Sequence, residues 1–224
     1  MGLYRHRPVF KDEKFQFVIE VDFQLYSFKD YIKITEQIIE KEISEEINRY
    51  NKFLQEASDI EIEYQYDFED HEIKNHIHQL YYNSIFISLY SFLEKKMYQL
   101  CKLAEKGNSI KVKDLSDDGV FKYYKYFKKV LLIDLEQLNI EWTLITKYNK
   151  LRNRLVHFPD NTIEKSNNNS KQIELLKSIS NLKIIDKGDY IEYEISDKQL
   201  LLDFWTVIND FLNKIYYEKV KPSW

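Results

Sequence analysis

The chain has 224 residues, of which 44% are hydrophobic and 31% are charged, and its net charge is −4 at pH 7. This length fits one domain with a sizeable core, and the scarcity of turn residues (four glycines, three prolines) favours long helices over a β-sandwich or barrel. The single cysteine, Cys101, excludes an intramolecular disulfide framework, and the lack of a signal-peptide pattern and of any long apolar run predicts a cytoplasmic protein without a membrane segment.

The first two thirds of the chain are predicted to form an N-terminal extension followed by long helices. Within this extension, residues 1–24, apolar residues recur at every second position from Phe15 to Phe23, which is typical of a short β-strand. The spacing then becomes helical, with Gly107 and Pro159 as expected stop signals. The pattern predicts helices over about 25–57, 71–106, 120–138 and 141–158.

The last third is predicted to contain a loop, a short helix, a β-hairpin and a final helix. Residues 161–171 are polar and rich in asparagine, which indicates an exposed loop. Residues 182–195 alternate in polarity on both sides of a turn at Gly188, and this pattern predicts the hairpin. The final helix, 197–217, has one apolar face made of Leu201, Phe204, Ile208, Phe211 and Ile215. The expected fold is mainly α, one helical domain over the whole chain with a small hairpin.

Charge is unevenly distributed along the chain. Residues 29–74 contain six Lys and Arg against fourteen Asp and Glu, whereas residues 121–171 contain ten Lys and Arg against five Asp and Glu. A locally positive segment suits a site that handles a polyanion, although both segments can equally be solvated helix faces. If the partner is RNA, the cations expected to contact its phosphates are Lys147, Lys150 and Arg154.

The basic segment also carries the groups that phosphate chemistry needs, in the run Arg152-Asn153-Arg154-Leu155-Val156-His157. An arginine can bind two phosphate oxygens, and a histidine can transfer protons because its ordinary pKa lies close to neutral pH. Arg152 and His157 are therefore the predicted catalytic residues, and Asn153, one helical turn before His157, is a predicted supporting residue. The alternative is that the arginine forms an ordinary ion pair and the histidine is a structural residue.

This run resembles the signature of the HEPN superfamily, in which an arginine and a polar residue precede a histidine at the same spacing. HEPN domains are helical bundles with the motif near the end of a late helix, and many members are metal-independent ribonucleases of bacterial toxin or phage-defence systems. The resemblance covers roughly residues 71–160. It implies an HEPN-like bundle, an RNA substrate, a homodimer whose subunits share one cleft, and an antitoxin or other regulatory partner.

An earlier helix adds a supporting residue to the resemblance. HEPN domains commonly have a long helix with small residues, aromatic residues and a Leu-Glu pair, which here is Leu93-Glu94 after a seam of three serines. Close helix packing alone explains such a seam. We expect Glu94 to form an ion pair with Arg152 and to fix the orientation of the guanidinium.

The predicted motif helix has two faces. Its core stripe is Leu144, Tyr148, Leu151, Leu155 and Phe158. Asn149, Asn153 and His157 follow one another at steps of four on the other side, with Trp142 and Val156 nearby. Because this second face is partly apolar, we expect the same face of a second subunit to cover it.

No cofactor and no metal ion are predicted from the sequence. The chain has no Walker loop, no GxGxxG run and no paired-cysteine zinc pattern. His71, His76 and His78 lie close together in sequence, but His76 and His78 are about 200° apart on a helix. The lysine- and aromatic-rich stretch 121–129 could stack bases, but an amphipathic helix with a tyrosine-rich core face is the favoured interpretation.

The leading hypothesis is a metal-independent endoribonuclease, a toxin or phage-defence effector, that cleaves RNA by attack of the 2′-hydroxyl. One alternative is a non-catalytic HEPN module that binds RNA, a nucleotide or a partner protein. A further alternative is a structural helical protein in which the motif occurs by chance.

Overall fold

The computed structural model describes residues 13–56, 70–105, 108–158 and 160–216. Within them the chain is mainly helical, as predicted, with one small antiparallel sheet. The elements in chain order are α1 (Glu13–Glu56), α2 (Asp70–Ala104), α3 (Gly119–Lys129), α4 (Asn139–His157), β1 (Thr162–Glu164), α5 (Ser170–Lys177), β2 (Lys183–Asp186), β3 (Tyr190–Glu194) and α6 (Gln199–Ile215).

Four helices form the core bundle. α2 contacts α1, α4 and α6, and α6 also contacts α1 and α4, so α1 and α4 lie on opposite sides of the α2–α6 pair. α1 and α2 run antiparallel, because the late residue Lys96 of α2 pairs with Glu20 while the earlier Tyr81 donates a hydrogen bond to the carbonyl of Ile32. α3 packs on the outside of α2.

The final helix, α6, fills the middle of this bundle. All five apolar residues that define its predicted face are buried. Phe204 lies against Phe86 of α2 and Tyr148 of α4, with ring centroids 5.0 and 4.6 Å away. The helix therefore forms because its 3.6-residue apolar spacing matches a core that other helices supply from two sides.

The N-terminal strand prediction is wrong for residues 13–24. These residues form the first turns of α1, which packs on α2 and α6, so they are part of the bundle and not an extension. The apparent period of two arises because the helix has apolar residues on two opposite faces: Phe17 and Val21 are buried, whereas Ile19 and Phe23 are exposed. The part of the prediction that falls on residues 1–12 lies outside the described residues.

The predicted hairpin is confirmed as β2 and β3, but the sheet has a third strand. β1 pairs antiparallel with β3, with Ile163 opposite Ile191, and the strand order is β1-β3-β2. The expected exposed loop over 161–171 is therefore wrong at its start, where Asn161 and Ile163 are buried. Residues 165–168 of that segment are exposed. Periodicity could not reveal β1, because three residues are too few for a pattern.

The two middle helix predictions differ in accuracy. The prediction for 141–158 agrees with α4 to within two residues at its start and one at its end. The prediction for 120–138 is too long: α3 ends at Lys129, Leu132 has a positive φ of 52°, and a short 3-10 turn follows at Glu136–Leu138. A residue with a positive φ cannot continue a right-handed helix, so the chain has left the helical path before Leu132.

Candidate functional site

The run from Arg152 to His157 occupies the last turns of α4. The helix forms because Ile145, Tyr148, Leu151 and Leu155 are spaced to face α2 and α6, and all four are buried. It ends at His157, after which the backbone N–H of Phe158 donates to the carbonyl of Arg154 over 2.8 Å. The predicted motif therefore lies at the end of a late helix.

A chain of side-chain hydrogen bonds connects Arg152 to the core. Nη1 of Arg152 donates to Oδ1 of Asn153 over 3.1 Å, and Nδ2 of Asn153 donates to Oδ1 of Asn149 over 3.4 Å. Nδ2 of Asn149 then donates to the hydroxyl of Tyr90 over 2.5 Å. Asn153 thus supports Arg152, and none of its hydrogen bonds within the described residues joins it to His157.

The guanidinium of Arg152 lies beside Tyr90, where α4 packs against α2. It is half-buried, and its Cζ lies 5.8 Å from the centroid of the Tyr90 ring. Its Nε is buried and has no hydrogen-bond partner among the described residues. Because the residue is only half-buried and Nη1 is held by Asn153, the guanidinium has a defined position from which its exposed part can bind an anion.

Tyr90 is the residue of this site that sequence reasoning missed. Only 2% of it is exposed, and burial raises its pKa to about 12, against the opposing effect of the hydrogen bond from Asn149. Glu94 raises this pKa further and Arg152 lowers it, so both charged groups lie close to the ring. Tyr90 belongs to the helix segment on which the resemblance to the HEPN family was based, but no local pattern indicates that its hydroxyl meets α4.

The expected ion pair between Glu94 and Arg152 is not formed within the described residues. Glu94 instead lies against the start of α3, where a Cβ on Gly119 would come within 2.9 Å of its Oε1. Gly119 has a φ of 56°, and a glycine allows both this backbone conformation and the close approach. The positive end of the helix dipole at the start of α3 also favours a carboxylate at this position, beside Gly119 rather than in an ion pair with Arg152.

His157 lies at the solvent-exposed end of the site. Its side chain is exposed, and none of the hydrogen bonds or ion pairs found in the described part of the chain involves it. Its neighbours Val156 and Phe158 are 42% and 48% exposed. Phe158 therefore does not belong to the core stripe. The exposed end of α4 combines one imidazole with two apolar side chains.

Arg154 has a structural position and cannot be the RNA contact that the sequence suggested. It is 9% exposed, and its Nη2 donates to the carbonyl of Thr162 in β1. Its Cζ lies 3.9 Å from the Phe158 ring centroid and 5.8 Å from that of Tyr193 in β3. The sheet therefore covers this guanidinium, which a local sequence pattern could not reveal.

The two lysines predicted to bind RNA differ in their surroundings. Nζ of Lys147 donates to the carbonyl of Ser178 over 3.2 Å, so it caps the residue after α5. Lys150 is exposed on the same helix as Arg152 and His157. Lys150 is thus the better placed of the two to meet a phosphate.

The second face of α4 is partly covered by the chain itself. The ring of Trp142 stacks on Tyr124 of α3 with centroids 3.8 Å apart, and Phe121 meets it edge-on at 5.7 Å. Asn149 and Asn153 are half-buried. The surface left for another molecule is therefore the end of the helix around His157.

The described residues contain no group of three or more His, Cys, Asp or Glu side chains that could hold a metal ion. Nε2 of His78 lies 3.4 Å from Oε1 of Glu40, whereas the side chains of His71 and His76 lie outside the description. No helix in the described ranges has both the length and the apolar character needed to span a membrane.

Comparison of the chain with protein-family models, with curated proteins and with solved structures finds no match.

Proposed function

We propose that this chain is a cytoplasmic, metal-independent endoribonuclease of the HEPN type that acts as a toxin or phage-defence effector. The observation that carries the proposal is the anchored Arg152, which is joined to Tyr90 of α2 through Asn153 and Asn149. His157 lies five residues further along the same helix, at its exposed end. The two groups supply the anion binding and the proton transfer that cleavage of RNA requires.

The proposed reaction needs no metal or cofactor. The 2′-hydroxyl oxygen of the substrate attacks the adjacent phosphorus while the bond from phosphorus to the 5′-oxygen breaks. One imidazole accepts the proton of the 2′-hydroxyl, and another group donates a proton to the leaving 5′-oxygen. The products are a 2′,3′-cyclic phosphate and a 5′-hydroxyl. Arg152 stabilises the charge that develops on the non-bridging phosphoryl oxygens.

The second proton-transfer group would come from a second copy of the chain. Val156 and Phe158 are exposed beside His157, and a two-fold contact through these side chains would bring two imidazoles to one phosphate. His157 would then serve as general base in one copy and as general acid in the other. Lys150, exposed on the same helix, would bind a neighbouring phosphate of the RNA.

The test is cleavage of end-labelled RNA by the purified chain in the presence of EDTA. Arg152→Ala and His157→Ala should each lower the rate by about a hundredfold or more. Arg49→Ala is the matched control, because Arg49 is an exposed arginine of α1 that pairs with Glu46 and lies far from the motif in sequence. A 2′-deoxy nucleotide at the cleavage position should block the reaction, since it removes the nucleophile.

One observation favours a non-catalytic module as the second candidate. His157 has no hydrogen-bond partner within the described residues that would orient its imidazole, and catalytic histidines usually have such a partner. A module of this kind would bind RNA, a nucleotide or a partner protein, such as an antitoxin, through Arg152. RNA binding that depends on Arg152 but is accompanied by no cleavage would favour this candidate. Cleavage that requires Mg²⁺, or that persists in His157→Ala, would contradict the proposed mechanism.

A further inference from the structure

The first helix carries a second apolar face that is exposed, although the Tyr26 ring at its edge also meets Trp205 of α6 with centroids 5.9 Å apart. On its inner face, Phe17, Val21, Leu25 and Ile32 are buried against α2 and α6. On the opposite face, six large side chains are between 42% and 69% exposed. These residues, which we call the outer stripe, are Ile19, Phe23, Tyr26, Tyr31, Ile34 and Ile38.

The outer stripe is large enough for a stable contact. It extends over about 28 Å of helix, at 1.5 Å per residue. Its six side chains expose on the order of 600 Å² of mostly apolar surface. This area is at the upper end of the range for the largest apolar patch on a monomer, and it approaches the area that each partner buries in a standard interface.

The spacing of the outer stripe is symmetric along the helix. The steps between successive members are four, three, five, three and four residues, so the series reads the same in both directions. The midpoint falls between Phe28 and Lys29. An identical helix laid antiparallel across this midpoint therefore brings Phe23 opposite Ile34, because these two residues lie within about 20° of each other around the helix. Tyr26 and Tyr31 lie about 140° apart, on opposite edges of the outer stripe, so each faces its own counterpart in the second copy.

We propose that a second copy of this chain docks on the outer stripe, with the two α1 helices packed antiparallel about a two-fold axis that passes between Phe28 and Lys29. A two-fold contact requires a self-complementary surface, and the symmetric spacing provides one. A different protein would not need this symmetry. The inference does not rest on the proposed ribonuclease function.

Charged residues at the edge of the outer stripe fit the same alignment. Asp22 is half-buried and Lys33 is exposed, and neither forms an ion pair within the described residues. In the antiparallel pair, Lys33 of one copy lies within about two residues of the position opposite Asp22 of the other, a distance that a lysine side chain spans. Burial raises the pKa of Asp22, and a cation from a second copy would oppose that effect.

A groove beside the outer stripe offers space for an inserted ring. It has a volume of about 300 Å³ and is lined by Gln24, Ser27, Phe28, Tyr31 and Phe92. Tyr31 belongs to both the groove and the outer stripe. In the proposed alignment Tyr31 of the second copy lies along the same edge of the contact, so its ring would enter or cover this groove.

The outer stripe and the motif lie on different sides of the molecule. α1 and α4 flank the α2–α6 pair, so a contact through α1 leaves the end of α4 accessible. The α1 contact and the proposed shared cleft at His157 are therefore separate surfaces, and substitutions can test them one at a time.

The first experiment measures the oligomeric state of the full chain by sedimentation or light scattering at micromolar concentrations. The wild type should be at least a dimer, and Phe23→Glu should raise the dissociation constant of the α1 contact by roughly thirtyfold or more. Ile140→Glu is the matched control: Ile140 is 77% exposed, like Phe23 at 69%, but lies at the start of α4. The control should leave the assembly unchanged.

Two further variants test the register. The double variant Phe23→Cys/Ile34→Cys should form a disulfide between chains under mild oxidation, while Phe23→Cys alone should not. The native Cys101 is buried and does not interfere. Asp22→Lys and Lys33→Asp should each weaken the contact, and combining them should restore it, since the two charges are exchanged between copies.

Several results would overturn the inference. One is a monomeric wild type, whether the outer stripe is then protected from hydrogen exchange by the chain's own residues 57–69 or is open to solvent. Another is a dimer that Phe23→Glu leaves intact and Val156→Arg dissociates, which would instead support the shared cleft on α4. Cross-linking by Phe23→Cys alone would exclude the antiparallel register.

Discussion

Asn149 of α4 donates a hydrogen bond over 2.5 Å to the hydroxyl of Tyr90 of α2, and this contact fixes how the candidate site meets the core. Tyr90 is buried, and a buried hydroxyl group needs a hydrogen-bond partner, which Asn149 supplies. Asn149 also accepts from Asn153, which accepts from Arg152. The position of the arginine therefore depends on a tyrosine hydroxyl in a different helix.

Tyr90→Phe should separate anchoring from anion binding. The substitution keeps the ring and removes the acceptor for Asn149, so we expect a loss of about 1 kcal/mol in the free energy of unfolding. Arg152 itself is unchanged, but the amides of Asn149 and Asn153 that position it are no longer held by the Tyr90 hydroxyl. RNA affinity or cleavage should therefore fall several-fold. Tyr98→Phe is the control, because Tyr98 is a partly exposed tyrosine of the same helix. Unchanged stability together with unchanged RNA affinity would show that the anchor has no role.

Truncation of the two arginines of the motif should lower the free energy of unfolding by different amounts. Arg154→Ala removes a charged donor to the Thr162 carbonyl and the stacking on Phe158, so unfolding in urea should show a loss of about 2 kcal/mol. Arg152→Ala should cost about 1 kcal/mol or less, because its side chain is only half-buried. Arg154→Lys should recover only part of the loss, since an ammonium cannot reproduce the planar contact with Phe158. Equal destabilisation by both alanine variants would contradict these assignments.

The contrast between these arginines shows what the sequence could and could not predict. α4 and α6 were predictable because each has a single apolar stripe at helical spacing, and one such stripe decides both the helix and its buried face. The start of α1 was not, because two apolar faces imitate the alternation of a strand. Arg154 was misassigned because the surface that buries it comes from β1 and β3. Long-range contacts of this kind, like the one from Asn149 to Tyr90, leave no local pattern.

The stability of the region after α2 should depend on pH through Glu105. The backbone N–H of Val112 donates to its Oε1 over 2.7 Å, and Lys102 donates to its Oε2. Burial raises the pKa of this carboxyl, but the hydrogen bonds from Lys102 and Val112 outweigh burial and lower it below 4.5. A carboxyl with a lower pKa in the folded chain stabilises the fold above its unfolded pKa, and this stabilisation is lost as the pH falls through the folded pKa.

Glu105→Gln should therefore be less stable than the wild type at neutral pH, and the difference should shrink as the pH falls below about 4.5. Urea unfolding at several pH values measures this difference. Glu164→Gln is the control, because Glu164 is exposed in β1. A difference between Glu105→Gln and the wild type that stays constant down to low pH would show that the charge of Glu105 is unimportant.

Lys96 should join α1 to α2 mainly through packing. It is fully buried, its Nζ lies 2.8 Å from Oε1 of Glu20, and the ammonium lies 5.6 Å from the Phe17 ring and 5.5 Å from the Phe92 ring. Because the Glu20 side chain is 51% exposed, water screens the ion pair and reduces its contribution. The buried stem of the lysine remains in contact with both rings, whatever the state of the ion pair.

Lys96→Met keeps most of the buried stem and removes the charge, so it should change the free energy of unfolding by less than about 1 kcal/mol in either direction. Lys96→Ala opens a cavity between α1 and α2 and should cost about 2 kcal/mol or more. Thermal and urea unfolding of the two variants give this comparison directly. Lys41→Met is the control, since Lys41 is an exposed lysine of α1 paired with Glu45. If Lys96→Met is as damaging as Lys96→Ala, the two helices are held together at this point by the interactions of the ammonium with Glu20 and with the two rings, rather than by packing.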